Sequence, residues 1–411
     1  MNLATLQMKD WVSTVRQQAE HNFSALPNPS TKDENFRFTK IGDLNRQPAK
    51  AKDTGEIPFC FLKRSSEELG LLTFLNDALK VEEKLFTKRE LIFDEMQSAV
   101  EKYPKLFAEK MSTDYFPKDK LAQLIKARWQ NGVFIYIPKQ KKIKLPLRVL
   151  QYFSQGSHFF QSIIVVGAGA ELTLINELEG SEKQVEASFV TGLLQVHVGA
   201  NATVRFAEFQ NLAKNSQYFL RKYFELGRNA RLHYLTANSG GDQGQSYTKV
   251  VCAEQGAEFV LHAGASGTKS QQFDLWMDVE HRVANTKSTI KTWTAMQDQS
   301  QGVFNATICI PKNAFGTEAQ QKSHNLLLSD KAVIHAMPKL RIEADDVICQ
   351  HGASISTVNP EQVHYLQTRG IPKEEAENML IRAFMEPVVA KFPNKGLRSR
   401  IRQAFLGLVH E

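Results

Sequence analysis

A thiol and an imidazole two residues apart, Cys349-Gln350-His351, form the most reactive short stretch of this chain. They lie in Ala344-Asp345-Asp346-Val347-Ile348-Cys349-Gln350-His351-Gly352-Ala353-Ser354, a β-like run that ends in small residues. Successive strand side chains point to opposite faces, so Cys349 and His351 project the same way. A soft sulfur and an imidazole on one face could together hold iron, zinc or an iron–sulfur species. The same pair also suits a small buried thiol beside a hydrogen-bonded histidine, and the spacing alone leaves both readings open.

Other familiar chemistry is missing. There is no Gly-x-x-x-x-Gly-Lys-Ser/Thr phosphate loop, no Gly-x-Ser-x-Gly and no His-Glu-x-x-His. Gly264-Ala265-Ser266-Gly267 falls one residue short of a nucleophile elbow and has no helix after it. The eleven histidines are mostly isolated within strand-like runs; His262, His281, His324 and His335 could become neighbours only through the fold. These absences argue against an enzyme.

The elements that position the pair must come from 411 residues, 42% hydrophobic and 23% charged, a composition with enough apolar side chains for a real core. Cys60, Cys252, Cys309 and Cys349 lie far apart, which argues against a disulfide framework and a self-contained zinc finger and points to a reducing compartment. Residues 1–10 lack the apolar core of a secretory signal, and the best apolar run, Phe159 to Leu174, is interrupted by Gln161, Ser162, two glycines and Glu171. A soluble protein of the cytoplasm, or of an organelle such as the plastid stroma, is expected. The net charge of +7 gathers at Lys139–Lys144 and in the last twenty residues, without interleaved stacking aromatics. That favours a solvated face or a surface for an acidic protein over nucleic acid. A basic solenoid that binds an acidic polymer is the rival class.

Residues 1–145 read as a mainly helical region, with Trp11, Val15 and Ala19 at helical spacing before Leu26-Pro27-Asn28-Pro29, and a second helix expected over about 80–102. Gly132–Pro138 is the first strand. From 146 to 357 alternation replaces helical periodicity, and four segments share a turn-like pair followed by Ala-x-apolar. Their alanines, Ala170, Ala202, Ala230 and Ala257, are spaced by 32, 28 and 27 residues. Units of this size suggest a β-solenoid, with a β-sandwich as the alternative. Residues 358–411 return to helix: Asn359 caps one, Gly370 closes it, and Pro372 opens another with Ala376, Met379, Leu380, Ala383 and Phe384 as a stripe that Pro387 should break. A final basic helix carries Leu397, Ile401, Ala404, Phe405 and Leu408. Both stripes suit packing on the chain's own core, or docking of another protein.

An ordered set of motifs goes further. Asn325-Leu326-Leu327-Leu328-Ser329-Asp330 precedes Cys349-Gln350-His351-Gly352-Ala353, then Tyr365-Leu366-Gln367-Thr368-Arg369-Gly370-Ile371. Near the start stands Leu26-Pro27, followed by Asp33-Glu34-Asn35-Phe36-Arg37-Phe38-Thr39. Together these closely resemble the SufB/SufD family of iron–sulfur cluster assembly proteins. Length, N-terminal signature and few cysteines favour its SufD branch. Gln350 and Ser356 depart from the usual Ser/Thr and Gly.

The resemblance implies an all-β core, a right-handed parallel β-helix, flanked by N-terminal and C-terminal α-helical regions. It implies a non-catalytic scaffold that pairs with SufB through the β-helix ends, binds the ATPase SufC through its C-terminal helices, and supports iron entry and cluster assembly; a homodimer is compatible in isolation. His351 and Cys349 take the place of the family's interfacial metal residues, shared with the partner. Tyr365, Arg369, Met379, Phe384 and Phe405 fall in the ATPase-docking region. Iron or a transient iron–sulfur cluster would sit at the interface, with no cofactor kept by the isolated chain. Reduced flavin is associated with such complexes, though no residue here is assigned to it. The alternative is a purely structural adaptor in which Cys349 and His351 only pack. Neither membrane nor nucleic acid is expected as a partner.

Overall fold

A computed structural model describes residues 10–39, 41–48, 57–87, 90–180 and 187–406. The chain begins with α1 (Asp10–Ala25), which ends where Leu26-Pro27 was expected to stop it. Single 3-10 turns follow at Glu34–Phe36 and Phe59–Phe61. Next come β1 (Gly70–Leu75), β2 (Ala78–Lys84), β3 (Ile92–Glu95), α2 (Met96–Lys102), α3 (Pro104–Ser112), α4 (Lys120–Arg128) and β4 (Val133–Ile137).

The helix expected over about 80–102 is therefore β2, β3 and α2. Lys80, Glu82, Glu83 and Lys84 resembled the wet face of a helix. They instead line an edge strand, where charges discourage pairing with other chains. Asn76 makes the reversal between β1 and β2: its φ of 54° is left-handed, and its Oδ1 accepts from the Ser154 backbone N–H at 2.8 Å.

From β5 onward each strand pairs in parallel with the second strand after it. The strands are β5 (Leu147–Phe153), β6 (Gly156–Val166), β7 (Glu171–Gly180), β8 (Ser188–Val198), β9 (Thr203–Asn211), β10 (Gln217–Leu226), β11 (Arg231–Asn238), β12 (Gln243–Cys252), β13 (Glu258–Gly267), β14 (Gln272–His281), β15 (Lys287–Met296), β16 (Gln301–Ile310), β17 (Thr317–Leu327), β18 (Val333–Ile342) and β19 (Val347–Thr357). One sheet runs β19-β17-β15-β13-β11-β9-β7-β5-β1-β2 and the other β18-β16-β14-β12-β10-β8-β6-β4-β3. This i, i+2 parallel pairing makes a β-solenoid and rules out the antiparallel sandwich. Because β1 and β4 continue these sheets, the solenoid takes in strands from before residue 146.

The alanine repeat marks one corner of four successive coils. Gly169, Asn201, Asn229 and Gly256 have φ of 68°, 58°, 52° and 76°, and Ala170, Ala202, Ala230 and Ala257 behind them are fully buried in the core. Asn and Gly reach that left-handed turn at least cost. The corner continues at Asn285 (φ 57°) and Gly316 (φ 66°), but Thr286 and Thr317 replace alanine there, and their hydroxyls lie 3.4 Å apart. Inside, Leu174, Phe206, Tyr234, Leu261 and Ile290 stack rung upon rung. Each such large apolar side chain contributes roughly 1.5–3 kcal/mol on burial.

The chain ends in α5 (Pro360–Thr368), α6 (Lys373–Val389) and α7 (Lys395–Leu406). Asn359 caps α5 by accepting from the Glu361 N–H at 2.8 Å, and Gly370 (φ 83°) follows it, as expected. Pro387 does not break α6, which runs on to Val389. The carbonyl that proline leaves unpaired belongs to exposed Ala383, where water can serve it. The buried face of α6 is Ala376, Ile381, Met385, Val388 and Val389, so it keeps Ala376 of the expected stripe but is rotated towards Ile381 and Met385, leaving Met379 and Ala383 exposed. α6 and α7 pack on the outside of the ten-stranded sheet over Ala207, Phe209, Leu235, Ala237 and Ala295. Leu408 lies outside the described residues. Among those residues, no helix is long and apolar enough to cross a membrane.

Candidate functional site

The last coil has a neighbour on one side only. β18 pairs with β16 and β19 with β17, and each is the final strand of its sheet. In the β17–β19 register Ala319 lies opposite Cys349 and Gln321 opposite His351. Ala319 belongs to the core and Gln321 is fully buried, so Cys349 and His351 face the inside of the coil. No further coil covers them: Cys349 is half-buried and His351 exposed. Around them Ile348 is 66% and Ile355 51% exposed, with Val333 and Ile342 also open on β18.

The floor beneath the pair is fixed. Gln321 Nε2 donates to the Lys339 carbonyl at 3.0 Å, tying β17 to β18 across the lumen, and Asn325 Nδ2 donates to the Ser354 carbonyl at 2.9 Å. Burial pushes the Cys349 thiol up, and a hydrogen bond with the Ala319 backbone partly offsets this. Gln350 and Ser356 point to the opposite face of β19; Gln350 meets Gln320 at 3.4 Å and Ser356 Oγ meets the Asn325 carbonyl at 3.4 Å. Neither departure from the motif therefore touches the inward face. Among the described residues no three His, Cys, Asp or Glu groups gather closely enough to hold a metal ion. One thiol and one imidazole supply half of an ordinary ligand set.

The other histidines separate. His262 and His324 stack on the two sides of Trp293, with ring centroids 6.1 and 5.3 Å away. His281 is sealed inside, sharing hydrogen bonds with Thr286 (2.7 Å) and Ser288 (2.9 Å), and burial pushes it down to about 4. His335 stacks on Phe38 at 4.2 Å.

On the C-terminal helices, Tyr365 and Met379 are exposed by 57% and 41%, and Arg369 lies over the Tyr365 ring. Phe384 is half-buried beside the helix–sheet core. Phe405 requires a correction, since it is 2% exposed and wedged over Gly264, whose missing side chain makes room for the ring. It fastens α7 to the solenoid and presents no surface to another protein.

Sequence reasoning missed a strap. Residues 34–39 cross the outside of the nine-stranded sheet to the open end. Gln245 Nε2 donates to the Asn35 carbonyl at 2.5 Å, Thr39 Oγ1 to buried Asp274 at 2.6 Å, and Gln272 to the Phe38 carbonyl. Phe38 and Glu34 then meet His335 and Lys339 of β18. The Asp33–Thr39 motif was visible, but nothing local shows what it lies on. Also missed was a buried cation inside the lumen: Lys222 Nζ donates to Glu208, to Tyr234 Oη at 2.7 Å and to Ser246 Oγ at 3.0 Å.

Comparison with known proteins gives the family. Residues 151–384 match the model of the SUF system FeS cluster assembly SufBD core domain, and residues 2–149 match that of the SufBD protein N-terminal region. An iron–sulfur cluster assembly SufBD family protein of Staphylococcus saprophyticus is 28% identical over 318 residues, covering 76% of this chain and 67% of the relative. Like-named proteins of Staphylococcus epidermidis and Staphylococcus aureus are 27% identical over the same 76% and 67%. With a core model matching more than half of its length and an N-terminal model matching most of the rest, this chain belongs to the SufBD family of iron–sulfur cluster assembly proteins.

Proposed function

We propose that this chain is a SufD-type, non-catalytic scaffold subunit. It pairs with SufB through the open coil, carries SufC on its C-terminal helices, and receives iron or a nascent cluster at the seam. The observation that carries the reading is the uncovered inward face of β19, where Cys349, His351 and exposed Ile355 stand beside unpaired backbone, with Ile348 bare on the opposite face. An edge strand of this kind favours addition of another strand. A two-ligand half-site suits a cargo that must leave, since the partner completes the set on assembly and withdraws it on separation. His351, the more accessible of the two, is the leading ligand or proton carrier, and Cys349 is secondary.

Tyr365, Met379 and the open side of α6 are the surface offered to the ATPase, and the described cysteines, Cys252, Cys309 and Cys349, are free thiols suited to a reducing cytoplasm or plastid stroma.

The test is anaerobic iron and sulfide analysis of the complex reconstituted with SufB and SufC. His351→Ala is expected to lower cluster yield with assembly intact. An unchanged yield leaves the structural adaptor. Deletion from Pro360 onward is expected to abolish co-purification of SufC, and retention of SufC would remove the docking assignment.

A further inference from the structure

The outer face of the ten-stranded sheet carries two kinds of charge. Near the strand starts, cations and anions neutralise one another across neighbouring strands: Lys142 with Glu171 at 2.8 Å, Arg231 with Glu258 at 3.3 Å, Lys287 with Glu318 at 2.8 Å. Further along the strands, Glu177 of β7 is taken up by Arg148 and Arg400, and from β9 to β17 this part of the face carries no more carboxylates. Arg205, Lys291, Lys322 and, just beyond α6, Lys391 have no ion-pair partner among the described residues. Lys291 and Lys322 lie directly opposite each other in the β15–β17 register. Like charges so placed destabilise a sheet, so the fold bears a cost here that it avoids one row away.

Rings lie among these cations. His262, Trp293 and His324 stack across three successive strands of the sheet, with interplanar angles of 9° and 28°. Burial, Lys391 and Lys291 hold His262 down to about 4, and burial with Lys322 and Lys291 lowers His324. The imidazoles therefore stay neutral near pH 7, and the positive charge comes from groups that do not titrate there. Phe384 of α6 packs with Trp293 in the same apolar cluster and forms a wall beside the ladder.

We infer that this face, built on Arg205, Lys291, Trp293, Lys322 and Lys391, docks an acidic segment of a protein partner. Its carboxylates would meet the four unpaired cations while its apolar atoms lie on the Trp293 ladder. Glu258 and Glu318 in the adjoining row favour a polypeptide, with its spaced carboxylates, over a continuous polyanion such as nucleic acid. The inference does not depend on Cys349, His351 or the identity of the subunit at the seam.

The experiment titrates the full chain into a short dye-labelled peptide of alternating glutamate and serine, followed by fluorescence anisotropy at low salt. Lys291→Glu with Lys322→Glu is expected to weaken binding about tenfold or more, and the milder Lys291→Gln with Lys322→Gln to weaken it less. Lys139→Glu with Lys144→Glu removes the same charge elsewhere and is expected to shift affinity by no more than about twofold. Equal losses in the two glutamate pairs would mean that the peptide reads net charge alone, and would overturn the site. Tighter binding of an oligodeoxythymidine of equal charge, lost in the same Lys291 and Lys322 variants, would overturn the choice of a polypeptide.

Discussion

The two ends of the solenoid solve the edge-strand problem differently. At the first end, β2 folds back antiparallel on β1 and β3 lies antiparallel on β4, so each sheet stops in a strand of reversed direction. β2 carries Lys80, Glu82, Glu83 and Lys84, and α2 and α3 close over the apolar cluster of Met96, Phe107 and Phe134. At the other end β18 and β19 continue the parallel ladder and stop, with Ile348, Ile355, Val333 and Ile342 bare. A chain able to guard one edge with charge and reversal leaves the other unguarded. The proposed joining surface at the second end rests on this difference.

Three changes test that contrast. The largest effect is expected at the closed end. Phe134→Ala empties a ring that lies 4.5 Å from Phe107, and chemical denaturation should show a loss of about 3–5 kcal/mol. A loss as small as that of a surface change would mean that the first end is not a packed cap.

The second change concerns the strap that runs along the outside of the stack to the open end. Burial raises the Asp274 carboxyl from 3.8 to about 7 beneath the strap, with Thr39, Gln245, Trp276 and more distant Arg221 facing it. Its neutral form is favoured when the strap is docked. Docking stability is therefore fully present below the free pKa of 3.8 and is lost progressively as pH rises through about 7. Hydrogen exchange at Phe36–Thr39 should quicken over that window beyond its ordinary base catalysis, and Asp274→Asn should flatten this excess. An equal pH response in both proteins would show that another group governs the strap.

The smallest effect on the chain itself is expected at the open end. Ile355→Lys should change monomer stability by only about 0.5 kcal/mol, as an exposed site does, while weakening association with the paired subunit about tenfold or more. Full association would mean that the bare edge is not the seam.

What could be read from the residues followed how local the evidence was. Ala170, Ala202, Ala230 and Ala257 gave away the corner of four coils because a left-handed turn and a small buried side chain recur together. The same corner at Thr286 and Thr317 escaped notice, since a hydroxyl took the place of the methyl group and met the next coil's hydroxyl. The shared face of Cys349 and His351 followed from strand alternation. Their accessibility depended on where the coils stop, which no local pattern states. β2 was mistaken for helix because charges that guard an edge resemble those of a wet helical face. Phe405 lay on an apolar stripe that identified a buried side correctly without saying what buried it. The strap was out of reach, because Thr39 and Asp274 are 235 residues apart.

That strap also works as a ruler. Each coil adds ~4.8 Å to the stack, and residues 34–39 span the distance from β12, at Gln245, to His335 on β18, the final strand of the nine-stranded sheet. A lineage that gained or lost one coil past β12 would carry the final strand out of Phe38's reach unless the strap changed length in step. The number of rungs in this part of the stack and the length of the N-terminal crossing are thus bound to vary together.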